Sequence, residues 1–172
     1  MQSPRAISQE VSPSEVLNKR KDLFFMQKIK MKKLRENAII PKRATMGSAG
    51  LDLCACIDEA VTIKAGERMV VPTGIAIGIE SNEIVALIYA RSGLAIKHGI
   101  TLSNAVGVID SDYRGELCVG LLNTSKEDYT IEPNERIAQL VLTPVIIAEP
   151  EEVEELDETE RGEGRFGSTG KQ

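Results

Sequence analysis

Apolar and polar residues alternate through the middle of this chain. Ile75, Ile77 and Ile79 alternate with Ala76 and Gly78; Leu117, Val119 and Leu121 alternate with Cys118 and Gly120. Ile137, Gln139 and Val141 alternate with Arg136, Ala138 and Leu140. A period of two sends successive side chains to opposite faces of a strand. Many such short runs, punctuated by Gly and Pro, predict an all-β antiparallel sandwich or barrel. Between Pro41 and Pro150 no helical period lasts more than about two turns. Ser92 to Lys97, stopped by Gly99, predicts one short helix. The chain contains no internal repeat.

Residues 107–115 break the alternation. Gly107, Val108 and Ile109 begin a strand, but Asp110, Ser111, Asp112, Tyr113, Arg114 and Gly115 follow where a core strand would stay apolar. Polar groups this close to a core need partners or a substrate. Two readings are open at this point. Asp, Ser and Gly favour tight turns for local reasons. Alternatively, two carboxylates, a phenol and a guanidinium are gathered here for chemistry.

With 172 residues, the chain is one domain by length and large enough for a real core. Its three cysteines are an odd number. Cys54 and Cys56, two apart in an expected strand, share a face and lack a companion pair for a zinc site. They read as reduced, small apolar residues in a cytosolic protein. No apolar run approaches the roughly 18 residues of a membrane span, and no signal-peptide core opens the sequence. The net charge of −5 is uneven: residues 1–33 hold eight Lys/Arg and three Asp/Glu, so they carry +5 and the remainder −10. An acidic body does not favour general nucleic-acid binding, because that affinity comes from neutralising phosphates. A phosphorylated ligand would have to be held locally, by a few arginines, backbone amides or a metal.

The two ends differ from the middle. Residues 1–30 read as a flexible extension, with Ser12-Pro13-Ser14-Glu15 in capping-box form ahead of Val16, Leu17, Leu23 and Phe24. A short amphipathic helix is the alternative there. Residues 31–148 form the expected β domain. Residues 149–160 contain eight acids in twelve positions and read as a solvated linker. The segment 161–172 opens with four glycines in ten residues, so ordering it is costly. It also carries Phe166, Arg161, Ser168 and Thr169, the groups that would stack on a base and meet an anion.

Five segments in order resemble the trimeric dUTP pyrophosphatases (dUTPases): Ala49–Leu53, Arg91–Ala95, Asn104–Gly115, Arg136–Leu140 and Arg161–Gly170. The resemblance covers about residues 34–170. Arg-Ser-Gly alone recurs by chance, whereas five segments ending in Phe-Gly-Ser-Thr-Gly are specific. Ala90 stands where the family usually has Pro, and Arg165 where Gly is common. Neither departure removes a group the chemistry needs.

The resemblance implies a jelly-roll-like fold with a mobile Gly-rich C-terminal arm, and Mg²⁺-assisted hydrolysis of dUTP to dUMP and pyrophosphate. Asp110 corresponds to the carboxylate that activates water, and Asp52 to a residue reaching the hydrated metal through water. Arg91, Ser92, Gly93 and Gln139 correspond to phosphate-binding groups. Asn104, with the backbone of Gly107, Val108 and Ile109, corresponds to the uracil reader. Tyr113 corresponds to the ring beneath the deoxyribose. Arg161, Phe166, Gly167, Ser168 and Thr169 correspond to the closing arm. Asp112 and Arg114 are expected to act in positioning and interface contacts, and His98 to be structural. The resemblance further implies a homotrimer whose sites draw the first, second and fourth segments from one chain, the third from another and the arm from the last. Stable nucleic-acid binding and membrane association are not expected. Two other readings remain: a dCTP deaminase-like enzyme of the same fold, and a catalytically silent trimeric binding module.

Overall fold

The computed structural model describes residues 28–165. Most of the expected N-terminal extension, with its alternative helix, and most of the arm lie outside them. Ten strands and one helix follow in order: β1 (Lys30–Lys33), β2 (Leu51–Cys54), β3 (Val61–Ile63), β4 (Arg68–Gly78), β5 (Ile84–Ala90), α1 (Ser92–His98), β6 (Ile100–Leu102), β7 (Gly107–Ile109), β8 (Glu116–Asn123), β9 (Tyr129–Ile131) and β10 (Arg136–Pro144). Two four-stranded sheets, ordered β1-β4-β8-β6 and β2-β10-β5-β7, are accompanied by the small ribbon β3-β9. All pairings are antiparallel. The expected jelly-roll-like sandwich with one short helix is what these residues form.

The alternation explains the core. In β8, Leu117, Val119 and Leu121 are buried while Cys118 between them is exposed. They join Ile75, Ile77, Ile88, Leu53 and Leu140 in one cluster. The buried polar residues are satisfied. Thr73 donates its hydroxyl to the Leu117 carbonyl at 2.6 Å. Asn123 donates to the carbonyls of Ile63 and Glu127 at 3.0 and 2.8 Å. Among the described residues no buried side-chain nitrogen or oxygen lacks a partner.

Three local departures matter. β4 slips register between Pro72 and Ala76, where Pro72 cannot donate to the ladder. Gly74, at φ +68°, sits there because a Cβ would meet Ala38 Cβ at 2.6 Å and Cys56 Sγ at 2.7 Å. Second, β2 ends at Cys54, so Cys56 is outside the strand and the two thiols do not extend one strand face. Third, β10 does not keep its period of two. Ile137, Ala138 and Leu140 are all buried, and the pairing to β2 slips between Arg136 and Ala138. The extra residue turns two neighbours into the core, so the faces read from simple alternation are wrong ahead of Gln139. The helix α1 ends as expected: Gly99 is left-handed at φ 69°, and its N–H bonds the Ala95 carbonyl at 3.1 Å.

Candidate active site

One polar cluster lies where β2, β10 and the end of β5 meet. Gln139 is paired with Asp52 on one side and Tyr89 on the other. Arg91 follows immediately after β5 and caps α1. Its Nε donates to Asp52 Oδ1 at 3.1 Å, and its Nη1 to the Arg136 carbonyl at 3.0 Å. Arg136 Nη1 donates to Asp52 Oδ2 at 3.0 Å. Gln139 Nε2 donates to the Ala90 carbonyl at 3.0 Å. Asp52 is mostly buried, with a side-chain exposure of 20%, against 26% for Arg91 and 53% for Arg136.

Two guanidiniums on one carboxylate leave a local charge of about +1, with unused N–H donors turned to solvent. That arrangement suits an anion. Ser92 and Gly93 are exposed beside it. A Cβ at Gly93 would meet nothing within 4 Å, so packing within the chain does not require glycine there. Cys54 borders the cluster, but burial first, and then Asp52, push its thiol upward in pKa. It stays a protonated thiol at neutral pH, unsuited to nucleophilic attack.

A second set of residues surrounds β7, the edge strand paired to β5 through Ile88 with Gly107, Leu87 with Val108, and Ala86 with Ile109. Gly107 packs tightly: a Cβ would lie 3.2 Å from Ile88 Cβ and 3.7 Å from Asn104 Nδ2. Asn104 belongs to a tight turn in which its carbonyl accepts from Val106 N–H at 2.7 Å and Ala105 adopts φ 62°. Asp110 opens a second turn, its carbonyl accepting from Tyr113 N–H at 3.1 Å. The local reading of this segment as a turn is therefore right, and it leaves the Asp110 side chain exposed. Arg114 Nη1 braces the turn by donating to the carbonyls of Ser111 and Tyr113 at 2.6 and 2.8 Å. Tyr113 folds back, its hydroxyl donating to the Glu116 carbonyl at 3.0 Å and its ring resting where Gly115 has no side chain.

The two sets leave β5 in opposite directions. Arg91 follows its last residue, whereas Ile109 pairs with Ala86 near its start and Asp110 continues beyond. Five residues from Ala86 to Arg91 span about 17 Å at the usual rise of a strand. Within one chain the water-activating candidate is thus separated from the cationic cluster.

Arg161 is exposed in a turn where Gly162 N–H and Gly164 N–H bond the carbonyls of Thr159 and Arg161 at 3.0 and 3.1 Å. Phe166, Gly167, Ser168 and Thr169 lie outside the described residues. His98 is exposed on the last turn of α1, its ring 5.0 Å from that of Tyr129. Sequence reasoning missed the side chain of Arg136. Its place is set by the register slip between Arg136 and Ala138, which the alternation in β10 does not signal.

Among the described residues no three His, Cys, Asp or Glu side chains gather as a metal cage. A lone carboxylate, Asp52, fits Mg²⁺ that keeps its waters and takes its other ligands from phosphates. A cavity of about 260 Å³ under Lys28, Glu80 and Ser81, floored by Ile29, Ile79, Ile84 and Leu142, contains none of the residues above. The chemistry is arrayed on open surface instead.

The family model described as dUTPase matches residues 36–170. The deoxyuridine 5'-triphosphate nucleotidohydrolase of Fusobacterium nucleatum is 55% identical over 148 residues, covering 85% of this chain and all of the relative. That of Acinetobacter baumannii is 56% identical over 133 residues, covering 77% of this chain and 89% of the relative. Among solved structures, the Staphylococcus bacteriophage 80alpha dUTPase with dUpNHpp superposes at a TM-score of 0.75 and 31% identity, over 84% of this chain and 99% of that one. A mutant dUTPase of the S. aureus phage phi11, described with a structural Mg(II) ion, gives 0.69 and 26% identity, over 77% of this chain and all of that one. This chain belongs to the dUTPase family and is a hydrolase that acts on dUTP.

Proposed function

We propose that dUTP is hydrolysed to dUMP and pyrophosphate at a site built from more than one chain, with Asp110 as the base. Asp110 accepts a proton from water as the water oxygen bonds the α-phosphorus. The bond from that phosphorus to the bridging oxygen breaks, and pyrophosphate leaves. An exposed carboxylate is a weak base, so holding water and phosphorus in line supplies much of the rate. Arg91, Ser92, Gly93 and Gln139 bind the phosphates, and the open space over Gly93 lets an oxygen approach the backbone. Asp52 would hold a hydrated Mg²⁺ through water, and the ion would supply charge withdrawal from the triphosphate.

Asn104 and the backbone of Gly107, Val108 and Ile109 read uracil. An edge strand keeps free N–H and C=O groups, and a side-chain amide matches uracil's mixed donors and acceptors. Tyr113 closes the sugar pocket against a 2′-hydroxyl. Arg161, Phe166, Gly167, Ser168 and Thr169 close over the bound substrate. We assign residues 1–30 to an extension whose last residue, Lys30, opens β1, 31–148 to the β domain, 149–160 to a linker and 161–172 to the arm, in a cytosolic enzyme whose three thiols are unpaired.

The observation that carries the shared site is the separation along β5 of Asp110 from the cluster of Asp52, Arg91 and Gln139. A homotrimer would bring the third segment of one chain to the cluster of another. The outward side of β4 and β8 suits such contacts, since Val70, 69% exposed and opposite Gly120, lies beside the pair Pro72 and exposed Cys118. Pyrophosphate release measured with dUTP, dCTP, dTTP and UTP tests the substrate. Strong preference for dUTP without ammonia release is expected; turnover of dCTP with ammonia would favour the deaminase.

A further inference from the structure

We infer that Arg136 is a positioning residue for Asp52, delivered to it by the extra residue in β10. The inference rests on the reading of Asp52 as the side chain that faces the hydrated metal. Strict alternation would put Arg136 and Gln139 on opposite faces. The slip between Arg136 and Ala138 instead brings Arg136 to the Gln139 side, where it holds Asp52 Oδ2 at 3.0 Å. Arg91 holds the other oxygen at 3.1 Å and also bonds the Arg136 carbonyl, so the two arginines brace one another through backbone and carboxylate.

Stability alone does not account for this arrangement. A bulge interrupts a ladder, and an ion pair with a half-exposed partner contributes little to folding. What it does fix is direction: with each oxygen engaged by a different arginine, rotation of the Asp52 carboxylate would break both bonds. Groups that hold a metal-facing ligand in this way commonly change affinity about 10–100-fold when removed. On this inference Arg136 acts through Asp52, and the anion is met by the remaining donors of Arg91.

A double-mutant cycle separates the two roles. The full-length protein, Arg136→Gln, Asp52→Asn and the double variant are titrated with the imido analogue of dUTP, in EDTA and in Mg²⁺, by calorimetry. Arg136→Gln should cut the Mg²⁺-dependent gain in affinity about tenfold or more, leaving metal-free affinity within about twofold. The double variant should bind no worse than Asp52→Asn alone, and Arg136→Lys should recover part of the gain. Additive losses, or an equal loss in EDTA, would mean that Arg136 meets phosphate directly and would overturn the inference. If Arg136→Gln fails to fold, the cycle is run with Arg136→Lys, and additivity there has the same meaning. An Asp52→Asn variant with its full Mg²⁺ gain would instead refute the metal-facing reading of Asp52, and the inference with it.

Discussion

Gly50 and Gln139 are fitted to one another: a methyl group on Gly50 would lie 2.8 Å from Gln139 Oε1 and 3.1 Å from its Cβ. The amide that bonds the Ala90 carbonyl is thus held by bare backbone just ahead of β2. Gly50→Ala should push Gln139 out of place. Overpacking of this kind costs about 1–3 kcal/mol. Denaturant unfolding should show that loss, and KM for dUTP should rise more than kcat falls. Unchanged KM would detach Gln139 from phosphate binding.

Asp110→Asn should leave fold and assembly intact, because the side chain is exposed and the turn is held by its carbonyl. An amide is nearly isosteric but cannot accept the proton. Loss of a general base typically costs about 10²–10⁴-fold. A purified variant with near wild-type kcat would remove Asp110 from this role.

Tyr113→Ala should narrow the ratio of kcat/KM for dUTP over UTP. Its ring is fixed by the hydroxyl bond to the Glu116 carbonyl, so it presents a rigid wall. Exclusion by shape alone is worth about 1–3 kcal/mol, or roughly 10–200-fold. Steady-state kinetics on both nucleotides would check this, and an unchanged ratio would place sugar selection elsewhere.

Alkaline stability should depend on Tyr129. Burial first, and then its bond to Glu135 at 2.6 Å, push the phenol from its ordinary 10.0 up to about 12. Below pH 10 the phenol is neutral in both folded and unfolded chains. Above it the unfolded chain loses the proton first, so stability falls as pH rises toward 12. Tyr129→Phe should lose less stability than wild type between about pH 8 and about pH 11 in denaturant titrations. Equal losses would show that Tyr129 is not the group responsible.

Much of this was legible in the sequence, and the limits have physical causes. Alternation identified the buried face of β8, and Gly99 marked the end of α1, because both signals are local. Residues Asp52, Arg91 and Gln139 were recognisable by their segments, and pairing in the sheet brings them together. Arg136 was hidden by the bulge, which depends on how β10 docks against β2 and not on its own pattern. Cys56 was misplaced for a related reason: β2 stops where the backbone N–H of Cys56 turns to the Pro72 carbonyl at 2.8 Å. The turn at Asp110 to Tyr113 follows from local signals, and it leaves Asp110 exposed, where the proposed chemistry needs it.

The separation of Asp110 from Arg91 along β5 makes the shared site the claim most open to a direct test. Chains carrying Asp110→Asn are co-expressed with chains carrying Arg91→Gln, and activity is measured against the fraction of mixed trimers found by native mass spectrometry. Each variant alone should be nearly inactive. In a ring where Asp110 of one chain serves Arg91 of the next, every mixed trimer regains about one site in three. The account predicts activity that rises with the mixed fraction toward that limit. A mixture no more active than its parents, with mixed trimers present, would contradict it and place base and phosphate cluster on a single chain.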